Sequence, residues 1–421
     1  MRASGYIAAS ALATAVSAQN YLGFSTGSTK IDGSAKVQAD YEAEFTAAQK
    51  LVGAPGVFSA ARLYTNIQGG STTDPIEAFA AAIATNTSLL LGIWCSGTTT
   101  IEPELTALQA GLTKYGSKLA DLVIGISIGS EDLYRNSVTG VTNKAGVGAD
   151  PDVIVGFIND YRTAFKSSLL KDVPVGHVDT WDVFPNATNK AVIDAVDWIG
   201  LDEYPYYQTG DGNTIDNAAS LFKKAYDAAQ AAIGDKPLWV TETGWPYVGM
   251  TWDEAVPSVA NAKKYWDDVG CAMLFNKVPT FWYDLTDDNA GNNQSFAITD
   301  NLSPNARFNL TCPAVTTVSS SSSASSTATS TGTATKGSTA TGSKTTVAAA
   351  ASGTATGKAT GTAATAAAGG SSATESGVAT VSGSDADASS SPAAVTTSAG
   401  SILNLSIGAM VGAAVAFAYL L

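Results

Sequence analysis

Two glutamates stand at the ends of apolar runs. Glu131 follows Gly125-Ile126-Ser127-Ile128-Gly129-Ser130 and precedes Asp132-Leu133-Tyr134-Arg135. Glu242 closes Lys236-Pro237-Leu238-Trp239-Val240-Thr241 and is followed by Thr243-Gly244-Trp245-Pro246, which cannot continue a regular sheet. Carboxylates in such places can act as acid, base or nucleophile. A competing signal overlaps the first: Gly125-Ile126-Ser127-Ile128-Gly129 has the spacing of a serine nucleophile elbow, which would make the chain an esterase. That chemistry needs a histidine late in the domain, and the only one, His177, lies in mid-chain within an apolar run. With one His, three Cys, no Cys-x-x-Cys and no His pair, no dedicated transition-metal site is expected, and no organic cofactor.

Positioning two distant carboxylates requires a scaffold that brings many strand ends to one face. Eight short apolar runs recur, at residues 21–24, 57–64, 88–94, 122–129, 173–178, 198–204, 238–241 and 280–283. Continuous apolarity over so few residues suits strands buried on both faces. Amphipathic, Ala-rich stretches lie between them, among them 35–51, 75–84, 104–115, 151–170, 218–233 and 256–271. This alternation predicts an α/β fold, a (β/α)8 barrel, with chemistry at the C-terminal strand ends. A doubly wound open sheet is the alternative, but no Gly-x-Gly-x-x-Gly follows the first run. Just past the runs come Tyr64, Trp94, Glu131, Asp179 with Trp181, Asp202 through Tyr207, Glu242 and Asp284. This is a concentration of carboxylates and of aromatic faces suited to the C–H-rich faces of sugar rings. Ser127 is expected inside the barrel; Glu203 could point inward or pair with a surface cation.

The rest of the 421 residues frames this body. Residues 1–18 read as a signal peptide: Arg2, an Ala-rich apolar core, then Val16-Ser17-Ala18. The barrel is assigned to 19–312. From 313 to 400, 40 of 88 residues are Ser or Thr and none is aromatic, so the stretch cannot bury enough apolar area to fold. Residues 313–391 are expected to form an O-glycosylated stalk, or a plain linker. Residues 392–421 end in an uncharged apolar segment with no following Lys or Arg. They suggest a propeptide removed on attachment of a glycosylphosphatidylinositol (GPI) anchor near Ser390, with a tail-anchored helix as the alternative. Secretion accords with five Asn-x-Ser/Thr sequons, at Asn86, Asn186, Asn293, Asn301 and Asn309. It also permits a disulfide, expected between Cys271 and Cys312 because a bridge there would pin the end of the domain. Cys95 would then be free and buried, pairing through Cys95 being the alternative. The body carries 19 basic and 34 acidic residues; a net charge of −15 repels nucleic acid and suits a neutral substrate.

The string Val240-Thr241-Glu242-Thr243-Gly244-Trp245-Pro246 resembles the nucleophile signature of glycoside hydrolase family 17, the β-1,3-glucanases. Ile128-Gly129-Ser130-Glu131-Asp132-Leu133-Tyr134-Arg135 is similar to the acid/base motif of its fungal members. Arg62-Leu63-Tyr64, Gly176-His177-Val178-Asp179-Thr180-Trp181 and Asp202-Glu203-Tyr204-Pro205-Tyr206 resemble further family segments. The resemblance covers residues 21 to about 312. It implies a retaining double displacement on cell-wall β-1,3-glucan, with Glu242 as nucleophile and Glu131 as acid/base, in a GPI-anchored protein of the cell membrane and wall, acting as a monomer. Expected substrate contacts are Tyr64, Ser130, Asp179, Trp181, Tyr204, Trp245 and Trp282, with Tyr204 also a hydrogen-bond partner of the nucleophile. Ser130 stands where many relatives carry Asn, and Tyr247 where a small polar residue commonly follows the proline; the latter is expected to reshape a subsite. A glucanosyltransferase using the same two glutamates, and a wall mannoprotein that only binds glucan, are the alternatives.

Overall fold

A computed structural model describes residues 20–289 and 291–314. The expected signal peptide, nearly all of the expected stalk, the expected anchor segment and Ser390 lie outside the described residues. Eight strands, β1 (Leu22–Thr26), β2 (Ala60–Leu63), β3 (Ser88–Ile93), β4 (Val123–Ser130), β5 (Val175–Thr180), β6 (Trp198–Asp202), β7 (Leu238–Glu242) and β8 (Thr280–Trp282), close into one parallel barrel in sequence order. Helices α1 (Gln38–Gln49), α2 (Ala78–Thr85), α3 (Glu102–Tyr115), α4 (Ser117–Ala120), α5 (Asp132–Arg135), α6 (Val138–Thr142), α7 (Pro151–Phe165), α8 (Lys190–Ala195), α9 (Ala218–Ile233) and α10 (Val259–Tyr265) make the connections. α10 runs on as a π-helix, Trp266–Leu274. The expected barrel is therefore the fold. No helix among the described residues is long and apolar enough to cross a membrane.

Alternation along each strand divides the side chains into two sets. Ala60, Leu90, Val178, Trp198, Trp239 and Phe281, from six strands, touch one another, which only the barrel interior allows. Trp198 and Trp239 stack with ring centroids 4.4 Å apart near the N-terminal strand ends. Their bulk requires small neighbours: a Cβ on Gly176 would lie 2.2 Å from the Trp198 ring. Going toward the C-terminal ends, the inward positions turn polar, with Ser25, Arg62, Asp202 and Thr241 all buried. The outward sets of the strands pack against the helices in two large apolar clusters.

Closure is unevenly supported. β1 pairs with β8 at three positions and β7 with β8 at one. An ionic group sits over this seam. Buried Lys36 lies 2.7 Å from Glu44 and 3.0 Å from Asp288, and donates to Thr26 Oγ1 at 2.7 Å, while Asp288 also accepts the N–H of Gly27. The chain after β8 folds back so that Trp266 Nε1 donates to the carbonyl of Leu310, and Cys271 and Cys312 are bridged two residues further on. Cys95 is a free buried thiol, pushed above its usual range by burial.

Candidate active site

Glu242, the last residue of β7, is buried and has donors on both oxygens. Arg62 Nη1 donates to Oε1 at 2.6 Å, as does the Tyr64 hydroxyl at 2.6 Å, and the Tyr204 hydroxyl donates to Oε2 at 2.8 Å. Arg62 is the hub. Its other nitrogen donates to Ser130 Oγ at 3.0 Å, Nη1 reaches the carbonyl of Thr241 at 3.3 Å and lies 3.6 Å from Asp202, and its guanidinium sits 4.7 Å from the centre of the Tyr64 ring. One cation thus ties β2, β4, β6 and β7 together at one level. Burial first, and the charge of Glu242 with it, push the Asp202 carboxyl up to about 8 against the pull of Arg62.

Glu131 follows β4 in a left-handed conformation, φ 58°, two residues after Gly129 at φ 84°. A non-glycine residue held there carries strain that its surroundings must offset. Those surroundings are specific. The Glu131 N–H donates to the carbonyl of Val178 at 3.0 Å, Ser130 N–H to Asp132 at 2.8 Å, and Arg135 to Glu131 Oε2 at 3.1 Å. Burial raises the Glu131 carboxyl well above the carboxylate range. Arg135 opposes this, and the negative charges of Glu242 and Asp202 reinforce it. Arg135 also donates to Ser96 and to the Ser130 carbonyl, under the Trp94 ring at 5.2 Å.

Glu131 opens onto a cleft of about 420 Å³ walled by the segments after β4, β5 and β6, including Thr139, Trp181, Tyr204, Tyr207 and Gln208. Glu203 lines it too, neither in the barrel interior nor paired with a cation: it accepts from Gln208 at 2.6 Å and is raised well above the carboxylate range by burial first and Asp182 second. Past Thr139 and Asp182 a polar groove of about 330 Å³ continues the cleft toward Asn136, Asp150 and Asn186.

Of the expected substrate contacts, Trp181 and Tyr204 line the cleft, while Tyr64 and Ser130 gather around Glu242 and Arg62. Three lie elsewhere. Trp282 faces outward against Trp266 and Phe275, because Phe281 takes the inward position on β8. Trp245 is buried beside Tyr206 and Tyr265, its Nε1 bonded to the carbonyl of Val256. Asp179 also faces outward with no exposed surface, and its oxygens accept the N–H groups of Leu133, Tyr134 and Thr180. Tyr247 lies beneath Arg307, 3.8 Å from guanidinium to ring centre. No Ser–His pair forms: Ser127 donates to the Gly129 carbonyl, and His177 bonds Ile128 and Asp179. All five sequon asparagines are exposed. Arg62, Arg135 and Asp202 were missing from the expected contacts. A lone arginine inside an otherwise apolar run, and an arginine four residues after Glu131, were the available signals. Among the described residues no group of three or more His, Cys, Asp and Glu could hold a metal.

Residues 23–299 match the profile of the BtgE/BtgC glycoside hydrolase domain. The chain is 51% identical over 318 residues to a protein of Aspergillus terreus named probable glucan endo-1,3-beta-glucosidase eglC, a match spanning 75% of this chain and 65% of that one. Its counterpart in Aspergillus fumigatus is 51% identical over 311 residues, spanning 73% and 69%. The chain thus spans about two thirds of the length of these relatives. The solved structure of a glycoside hydrolase family 17 beta-1,3-glucanosyltransferase from Rhizomucor miehei superposes with a TM-score of 0.56 at 23% identity, covering 69% of this chain and 97% of that one, a likeness of fold.

Proposed function

From the premise that the chain belongs to the BtgE/BtgC glycoside hydrolase family, we propose that it hydrolyses β-1,3-glucosidic bonds of wall glucan, attacking within the chain, with retention. The observation that carries the mechanism is the contrast between its two glutamates. Glu242 has a guanidinium and two phenols donating to it, which favours the ionised form a nucleophile needs. Burial among negative charges raises the Glu131 carboxyl well above the carboxylate range, at the edge of a cleft, which favours a general acid.

In the first step Glu242 attacks the anomeric carbon while Glu131 gives its proton to the departing glycosidic oxygen, leaving a glycosyl-enzyme and a shortened glucan. In the second, Glu131, now ionised, takes a proton from water as the water displaces Glu242. Trp181 supplies a stacking face beside the cleft, and Ser130, next to Glu131 in the chain and bonded to Arg62, offers a hydroxyl for a sugar contact.

The proposal extends to location. The signal-like residues 1–18, the Ser/Thr-rich stretch and the apolar end fit a secreted monomer displayed on a GPI anchor near Ser390, on the outer side of the membrane and within the wall. Sugars on the five exposed sequons and a glucan partner complete that reading.

Product analysis on laminarin-type oligosaccharides tests the reaction. Shorter products with the β-anomer formed first are expected. Formation of the α-anomer first, or loss of no activity in Glu131→Ala and Glu242→Gly, defeats the assignment.

A further inference from the structure

Both nitrogens of the His177 ring face oxygen. Nδ1 lies 2.7 Å from the carbonyl of Ile128 and Nε2 3.1 Å from Asp179 Oδ2, and the ring has no exposed surface. A carbonyl only accepts, so Nδ1 carries a hydrogen. Asp179 takes three backbone N–H donors and meets the ring as one more acceptor. A neutral imidazole owns one N–H and would leave one of these contacts as acceptor against acceptor. We propose that His177 is a charged, buried imidazolium that acts as a positioning residue for Glu131, bracing the turn that carries the acid. This rests on the reading of Glu131 as the acid.

The brace spans the turn. On one side it holds the Ile128 carbonyl, directly before Gly129. On the other it holds Asp179, which caps the N–H groups of Leu133 and Tyr134, directly after Asp132. Between these anchors lie the two left-handed residues, Gly129 and Glu131. The ring packs against the first of them: a Cβ on Gly129 would sit 3.1 Å from His177 Cε1. The charges around the ring are Asp179 on its own strand and Asp132 from the turn packed against it, with Arg135 beyond Asp132. Burial alone would depress the ring's pKa. The hydrogen bonds to Asp179 and Ile128 and the charges of both aspartates outweigh it, and the result lies above the ordinary value.

The sign of each consequence follows. A histidine whose folded pKa exceeds its unfolded one contributes stability that is fully present below about 6.5 and lost as pH rises through the folded value. Toward Glu131 the ring's positive charge offsets Asp179, one of the charges raising that carboxyl. Removing the ring's charge leaves Glu131 harder to ionise, so the alkaline limb of kcat/KM moves upward while kcat falls as the turn loosens.

Because the chain has a single histidine, 15N labelling of histidine in the full-length protein yields one ring in the spectrum. Both nitrogens are expected protonated and unchanging between about pH 5.5 and about pH 8, where a free ring titrates. A ring with one bare nitrogen at neutral pH overturns the proposal, whatever role Glu131 has. His177→Gln is expected to lower kcat about tenfold, keep KM within about twofold and move the alkaline limb up by about one unit. Asp179→Asn keeps the size but removes the ring's charged partner, and should bring the ring into the titrating range; because it also removes a negative charge that raises Glu131, the limb should move less than in His177→Gln. Variants that lose thermal stability while kcat and the pH profile stay as in the parent reduce His177 to packing and overturn its positioning role. Loss of that shift together with retained activity in Glu131→Ala points instead to failure of the mechanism beneath it.

Discussion

At the scale of single residues, the two glutamates differ in what surrounds them, and stereochemistry can read the difference. Glu242→Gly is expected to abolish turnover, with azide restoring part of it on an activated aryl glucoside and giving a glycosyl azide of inverted configuration, since one displacement has occurred. Glu131→Ala should spare the first step on such a substrate and slow the second by about 10²- to 10⁴-fold. Azide there should yield retained configuration, and the opposite pair of outcomes exchanges the two roles. Arg62 is fixed by planar contacts to Glu242, Ser130 and the Thr241 carbonyl that an ammonium cannot reproduce. Arg62→Lys is therefore expected to lower kcat by about two orders of magnitude with little change in KM; an unchanged kcat contradicts its role. The acid's raised carboxyl has a pH sign as well. The cleft needs Glu131 protonated in the first step, so kcat/KM falls as pH rises through its folded pKa, which burial has placed well above the usual range.

Elements explain why some of these residues were legible and others were not. The glutamates sit at the ends of runs whose continuous apolarity marks them as strands, and eight such runs leave few folds to choose from. Continuous apolarity does not reveal phase, however. Phe281 and Trp282 look equally able to face the barrel, and only packing against Trp239 and Trp266 decides which does. Asp179 was misread for the same reason: strand alternation turns it to the helix layer, where it caps α5. Arg62 lies two residues before a tyrosine that was identified, hidden because a charge inside a strand makes sense only when its partners on β4 and β7 are known. Loop anchors give a prediction at this scale. Glu104 on α3 accepts from Thr65 at 2.5 Å and from Asn66 N–H at 2.8 Å, holding the segment after β2, and burial pushes its carboxyl up to about 7. The native state keeps a proton that the unfolded chain releases, so this group costs stability as pH rises from about 4.5 to about 7, on the order of 3 kcal/mol when complete. Glu104→Gln keeps both contacts without the charge. Its thermal midpoint should equal the parent's near pH 4.5 and exceed it at pH 8; a constant difference across that range refutes the assignment.

For the molecule as a whole, the groove past Thr139 and Asp182 lengthens the cleft beside Glu131, and under the proposed function it is where a longer glucan would lie. Asn136→Trp would fill it without touching the glutamates. Long laminarin oligosaccharides should lose rate about tenfold or more relative to short ones, and equal rates on all lengths would show that the groove is not used. Globally, the Cys271–Cys312 bridge closes a sequence separation of 41 over the end of the barrel. Its removal by Cys271→Ser should cost about 2–4 kcal/mol in chemical denaturation, with the free thiol of Cys95 staying inaccessible to alkylation until unfolding.

The sparse pairing at β8 gives the barrel a preferred place to fail. A closed ring shares any load among its joints, and the joint with the fewest backbone bonds opens first. Here that joint, β7–β8, carries Glu242 at its end, while the Lys36 ionic group fastens the other side of β8 to β1. Slow deuterium uptake should accordingly begin at β8 and the start of β1 while β3 and β4 remain protected. Heat, which quickens such opening, would then extinguish catalysis while most of the ring is still intact, whereas salt should do little because the Lys36 group is buried. The working lifetime of the enzyme is in that case set by the frequency with which one strand lets go, well before the free energy of the whole fold is spent.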